Sequence, residues 1–295
     1  MRHDRASVYG AASASFRDPA GRVIEAGGRI VRLVERGHEA ELLAALELPA
    51  LGGFRTDGRV VGSRLMDRGE IRDLLEDEGA GEVLGDDIEL ALEHERIPFP
   101  SFAYEWSPAM LHAAAGLTLD LAEALLAEGF GLKDASPANV LFRGPRPVFV
   151  DVSSIERRDP HDPTWIPYGQ FIRTFVMPLL LTKHLGLPLE QLTATRPDGL
   201  APEEVYDYCG SVRRFLPPFL TVVSIPRWLR FAMPRTNPYR PRRVTDPAQA
   251  RFIVGALLKQ LRRLLRRVEP TGRVASRWSR YNDDVREERR GAQYV

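Results

Sequence analysis

The order of apolar and polar residues divides the chain into two regions of different character. Residues 19–34, PAGRVIEAGGRIVRLV, form two short apolar runs around Gly27-Gly28, which predicts a β-hairpin. The next stretch, HEAELLAALELPAL, groups Leu42, Leu43 and Leu46 at helical spacing and predicts a helix that ends before Pro49. TDGRVVGSRLM (56–66) reads as a further hairpin strand after an Asp-Gly turn, and IRDLLEDEG as a short acidic helix or loop. IELALEHERIPF (88–99) reads as a strand that runs out at Pro98.

The pattern then turns helical. SPAMLHAAAGLTLDLAEALLAEG (107–129) predicts a long helix with Ser107 as its cap, Pro108 in its first turn and Gly129 closing it. YGQFIRTFVMPLLLTKHLG, EEVYDYCGSVRRFL and RFIVGALLKQLRRLLRRV read as further helices. Between the last two, residues 217–247 carry seven prolines and predict an extended connector. In the final helix Phe252, Ile253, Ala256, Leu257, Leu261, Leu264, Leu265 and Val268 are expected on one side, and Arg262, Arg263, Arg266 and Arg267 on the other. That basic side would suit a lipid or nucleic-acid surface, or simply the outside of a packed helix. The expected class is α+β, with a leader over 1–17, a strand-rich N-lobe over 18–97, a helical C-lobe over 98–268 and a tail over 269–295.

Composition narrows the function. Lys plus Arg number 41 and Asp plus Glu 40, so no global field draws the 295-residue chain to nucleic acid or anionic membrane. One cysteine, Cys209, permits no internal disulfide, which points to a reducing cytoplasm. The six histidines lack metal-ligand spacing, so no zinc site is expected. No run of about 18 apolar residues occurs, so no bilayer-spanning helix is expected either. Only three of the 41 basic residues are lysines, Lys133, Lys183 and Lys259. A GC-rich codon bias would produce such an imbalance, but the imbalance bears on the chemistry.

That chemistry lies in LKDASPANVLFRGPRPVFVDVSSIE (132–156). Asp134 precedes Pro137 and belongs in a loop after the long helix. Asn139 opens a strand, Arg-Gly-Pro-Arg turns the chain, and Asp151 ends the returning strand. Two carboxylates and one amide thus meet at a hairpin mouth, an oxygen donor set that suits Mg²⁺ together with substrate phosphates.

These residues resemble the catalytic segment of the protein-kinase-like superfamily. LKDASPAN sets Asp134 and Asn139 at the spacing of H-R-D-x-x-x-x-N, and Asp151-Val152-Ser153 stands where D-F-G would follow. The resemblance implies a two-lobe fold, Asp134 as catalytic base, Asn139 as second metal ligand and Asp151 as principal Mg²⁺ ligand, with ATP as nucleotide. The hinge falls near Glu93–Pro98, where strand backbone would meet an adenine, and His94 flanks Glu93 there.

Several positions depart from that pattern. Leu132 replaces the His, Val152-Ser153 replace Phe-Gly, and the glycine-rich loop is reduced to Gly27-Gly28. No lysine precedes Lys133, so Arg29 or Arg32 must serve where the N-lobe lysine would, with Glu39, Glu41 or Glu47 in the next helix as possible partners. Arg32, Glu93 and Lys133 are therefore the candidate nucleotide-binding residues.

A narrower resemblance is carried by EHERIPFPSFAYEWSPAML, LTLDLAEALLAEGFGLKDASPANVLFRGPRPVFVDVSSIE and PYGQFIRTFVMPLLL. They look like the kinase-like region that precedes a class I SAM-dependent methyltransferase domain in bacterial proteins related to a nodulation group. The expected function is Mg²⁺/ATP-dependent phosphotransfer to a small-molecule or protein hydroxyl. The alternative is an inactive kinase-like module that accompanies a methyltransferase domain or protein.

Overall fold

The computed structural model describes residues 21–77, 88–232 and 243–270; the expected leader and most of the expected tail lie outside them. Four antiparallel strands form the N-terminal sheet in the order β1 (Gly21–Ala26), β2 (Arg29–Glu35), β4 (Ile88–His94), β3 (Ser63–Met66). The Gly27-Gly28 turn joins β1 to β2, and both glycines have positive φ (56° and 74°), as a two-residue hairpin turn requires. Side chains alternate across β2. Val31 and Leu33 join Ala91, Ile71 and Leu74 in a small core beneath α3 (Arg68–Asp77). Val34 and Leu92 face the opposite way, into the main core.

Two helices leave this sheet for the rest of the molecule. They are α1 (Glu39–Leu46) and α2 (Pro49–Thr56). The second was not legible: PALGGFRT holds two glycines, yet burial of Leu51 and Phe54 in the main core outweighs their poor helix propensity. Arg59–Val61 then pair with the C-terminal part through Phe149, rather than forming a hairpin strand.

The C-terminal part is built on α4 (Pro108–Ala127), capped by Ser107 Oγ, which accepts from the Met110 amide at 3.3 Å. This helix is long and apolar enough to cross a membrane by length and composition, but it buries nine residues inside the protein. Its two acids hold a neighbour: Arg262 of α11 (Pro247–Arg267) donates to Asp120 at 2.7 Å and to Glu123 at 2.9 and 3.1 Å. Arg262 therefore ties α11 to the core instead of facing solvent. The stripe that α11 buries is Ala250, Val254, Leu258, Leu261, Leu264 and Leu265, while Phe252 is 74% exposed. The expected apolar face was thus right over its last two turns and rotated at its start.

Below α4 run β5 (Phe130–Leu132), β6 (Val140–Arg143), β7 (Arg146–Phe149) and β8 (Ile155–Arg157), paired as β5–β8 and β6–β7. Next come α5 (Tyr168–Phe171), a π-helical turn at Ile172–Val176 and α6 (Met177–Leu185). The wide turn stands just before Pro178, which has no amide to give the helix ladder. Helices α7 (Leu189–Thr195), α8 (Pro202–Tyr208), α9 (Gly210–Arg213) and α10 (Ile225–Ala232) complete the order. The expected extended connector is therefore helical over its first part. Pro226 follows a second π-helical turn at Leu220–Ser224, as Pro178 follows the first, so each wide turn stands where a proline withholds an amide from the ladder. The architecture is α+β, with a strand-rich N-terminal region and a helical C-terminal part.

Candidate functional site

Two strand pairings bring the acidic residues together. Leu132 of β5 lies opposite Ile155 of β8, so the loop leaving β5 and the loop entering β8 emerge side by side. Across the β6–β7 hairpin, the Val150 amide donates to the Asn139 carbonyl at 2.9 Å, which sets Asn139 beside the residue before Asp151. The Asn139 side chain is buried and donates from Nδ2 to the Asp134 carbonyl at 3.4 Å. Asp134, Asn139 and Asp151 therefore share one hairpin mouth.

Each carboxylate is held by a residue that carried no sequence signal. Gln170 of α5 accepts from the Ala135 amide at 2.6 Å and donates from Nε2 to Asp134 Oδ1 at 3.3 Å. Its amide fixes the loop and the carboxylate at once. Ser153 Oγ donates to Asp151 Oδ1 at 2.7 Å, and Ser154 Oγ donates to the Asp151 carbonyl at 2.8 Å. The two serines close a single 3-10 turn at Val152–Ser154 where a glycine was expected. Lys133 ties that turn back to β5: its amide donates to the Ser154 carbonyl at 2.7 Å and its Nζ to the Ser153 carbonyl at 3.3 Å.

The sheet supplies the opposing cation. Arg29 and Arg32 are three residues apart on β2, so they point to opposite faces. Arg32 is on the core-facing side, buried, and donates from Nη2 to Asp151 Oδ1 at 2.9 Å. Arg29 faces away and forms a fork with Glu93 at 2.8 Å through both Nε and Nη2. Of the two arginines, Arg32 meets the acidic group. Beside it a cavity of about 10 Å³, the size of one water, lies among Arg32, His38, Glu41, Lys133 and Ser153. Glu41 reaches instead to the Arg157 amide at 3.1 Å.

The side chain of Glu93 is not brought to this group. It lies on the far face of the sheet, where Arg64 also reaches it at 2.6 Å and Arg64 in turn pairs with Glu70 at 2.8 Å. The Arg29 fork holds the Glu93 carboxyl below its ordinary range. Glu70 is held down to about 2, first by Arg64 and then by the Asp67 amide. The neighbouring His94 faces the core side with Arg32. Its Nδ1 lies 2.8 Å from Ser63 Oγ, and burial together with the Arg32 charge pushes the imidazole down to about 4. A shallow open depression of about 440 Å³ at this end of the sheet is lined by Gly28, Ile30, Gly62, Ser63, His94 and Glu95, among others.

The arrangement can hold a hard cation. Asp151 offers one carboxylate, whose Oδ1 takes the Arg32 and Ser153 bonds. With its Nδ2 turned to Asp134, Asn139 offers its amide oxygen. One carboxylate and one amide oxygen fit Mg²⁺, which keeps waters and phosphate oxygens for its other positions. Among the described residues no group of three or more His, Cys, Asp and Glu is placed to hold a metal.

No family model matches the chain. The nodulation protein NoeA of Rhizobium meliloti (strain 1021) is 36% identical to it over 174 residues, which are 58% of this chain and 33% of NoeA. The chain therefore spans about a third of the length of the curated relative it matches. Among solved structures, that of vaccinia related kinase 3 is similar over 82% of this chain and 85% of its own, at 13% identity and a TM-score of 0.33. The Drosophila Melanogaster PAN3 pseudokinase is similar over 93% of this chain and 68% of its own, at 12% identity and a TM-score of 0.29.

Proposed function

We propose that this chain is a kinase-like, Mg²⁺/ATP-dependent phosphotransferase whose acceptor is a hydroxyl of a small molecule or protein. The observation that carries the reading is the convergence of Asp134, Asn139 and Asp151 at one hairpin mouth, opposite a buried arginine from the sheet. In this reading Asp134 takes the proton of the acceptor hydroxyl, and Gln170 aims its carboxylate while pinning the loop. Asn139 and Asp151 would hold Mg²⁺, which when bound would neutralise charge on the phosphate oxygens. Arg32 takes the place of the usual lysine and can grip phosphate through two N–H groups, and Lys133 stands next to the same loop. The adenine would lie against the end of β4 near Glu93 and His94, with the backbone rather than the Glu93 carboxylate as its partner.

A specific observation favours a second reading. Arg32 already occupies Asp151, and the enclosed space beside the pair is about 10 Å³. A chain that keeps this pair closed would be an inactive kinase-like module, and its likeness to regions preceding a SAM-dependent methyltransferase domain suits an accessory role. Thermal shift of the full chain with ATP, with and without Mg²⁺, separates the two. A Mg²⁺-dependent rise lost in Asp151→Ala, with ATP turnover lost in Asp134→Ala, supports phosphotransfer; absence of any nucleotide shift ends it.

A further inference from the structure

The net charge of +1 conceals a strongly uneven distribution. The sequence from Tyr208 to Val244 holds eight arginines and no Asp, Glu, Lys or His. The described part of this run also presents several large apolar side chains to solvent. Val212 is 71% exposed, Phe215 57%, Leu216 52% and Leu229 51%, with Ile225 and Trp228 each 39% exposed. The rings of Phe215 and Trp228 lie 5.9 Å apart, and the Ser224 hydroxyl, just before α10, donates to the Arg214 carbonyl at 2.6 Å, which brings the loop after α9 against the start of α10. Arg214 and Arg227 lie over the Tyr206 ring at 4.3 and 4.1 Å at the edge of the patch, and Arg227 also donates to Asp207 at 3.0 Å. Arg213 is exposed beside them.

We infer that this face docks on an anionic lipid surface, with Val212, Phe215, Leu216, Trp228 and Leu229 entering the headgroup boundary and Arg213 and Arg214 at the lipid phosphates. The charge decides among occupants. A second copy of this chain would set like-charged arginine rims against each other. A nucleic acid would use the cations and rings but gain nothing from Val212, Leu216 and Leu229, whereas aliphatic groups and tryptophan among arginines suit an interfacial helix. The inference does not depend on the phosphotransfer reading.

The test is sedimentation of the full chain with phosphatidylcholine vesicles, alone or containing phosphatidylglycerol. The expected result is binding to the anionic vesicles only, weakened by added salt. Phe215→Ser with Leu229→Ser should cut that binding by about tenfold or more, since each removed group loses over 1 kcal/mol of insertion. Arg213→Glu should weaken it as well. Both variants change exposed positions, and an unchanged melting temperature checks that they fold. Equal binding to neutral vesicles, no binding to either, loss of a concentration-dependent dimer in the double variant, or retention of RNA with indifference to vesicles would each overturn the inference.

Discussion

Arg32 Nη2 and Asp151 Oδ1 meet at 2.9 Å, joining the N-terminal sheet to the hairpin mouth across 119 residues of sequence. The side chains are 9% and 23% exposed, so the pair is shielded enough for its loss to register. Arg32→Ala should destabilise the fold by about 1–3 kcal/mol, because it strands a partly buried carboxylate. Pairing it with Asp151→Asn should recover part of that cost. Denaturant unfolding of the two single variants and the double variant reads the coupling directly. Additive losses would show that the pair contributes no interaction of its own.

Arg32→Lys separates the two functional readings more finely. Lysine keeps the charge but loses the planar fork, so the clamp on Asp151 weakens while a phosphate ligand of the usual kind appears. If the ion pair is what keeps the cleft shut, Arg32→Lys should bind Mg²⁺-ATP more tightly than the parent chain by calorimetry. Weaker binding would mean that the guanidinium itself is the phosphate ligand.

How much of this site could be read beforehand follows from sequence distance. Asp134, Asn139 and Asp151 lie within one loop and hairpin, so spacing alone places them together. Alternation along β2 reduces the cation to Arg29 or Arg32 but says nothing about which sheet face meets the acids. Gln170 stands 36 residues beyond Asp134 in an ordinary helical run, and only the packing of α5 brings it back. Ser153 looked like the loss of a glycine; in the fold its hydroxyl is the second donor to Asp151. In the N-terminal region α2 was missed because its stability comes from Leu51 and Phe54 rather than from propensity.

Gln170 is a positioning residue. Removing its amide in Gln170→Leu frees both the Asp134 carboxylate and the Ala135 amide that it accepts from. If the chain transfers phosphate, kcat should fall by about tenfold to a hundredfold, comparable to the loss of a partner that orients a reacting group. KM for ATP should stay near its parent value, since Gln170 touches neither Asn139 nor Asp151 among the bonds formed. A rise in KM with kcat unchanged would place Gln170 in nucleotide binding instead.

His94 makes stability pH-dependent. Its folded imidazole titrates at about 4, below the usual 6.5, through burial and then the Arg32 charge. The unfolded chain therefore takes up a proton as pH falls past about 6.5, and the folded chain resists until near 4. Stability should be full above that window and decline as pH drops through it, by up to about 3 kcal/mol. His94→Gln should lessen the decline between about pH 6.5 and 5.5, above the range where the unfolded chain's glutamates take up protons, leaving a remainder to His184, which burial also pushes down. Melting temperature against pH for both proteins is the measurement; parallel curves would assign the acid sensitivity elsewhere.

The rotated face of α11 gives the sharpest test of packing. Leu258 is fully buried against the core, whereas Phe252, which the sequence pattern groups with the apolar side, is 74% exposed. Leu258→Ala opens a cavity between α11 and its neighbours and should cost about 2–5 kcal/mol. Phe252→Ala removes a larger side chain yet should change stability by no more than about 0.5 kcal/mol, because little of that ring leaves water on folding. Arg262→Ala should fall between them at about 0.5–1 kcal/mol, because its fork to Asp120 and Glu123 is partly open to solvent and Asp120 keeps Arg59 at 3.2 Å. Urea unfolding of the three variants ranks them. A loss at Phe252 that matched the loss at Leu258 would show that α11 seats on the core through the face the pattern first suggested.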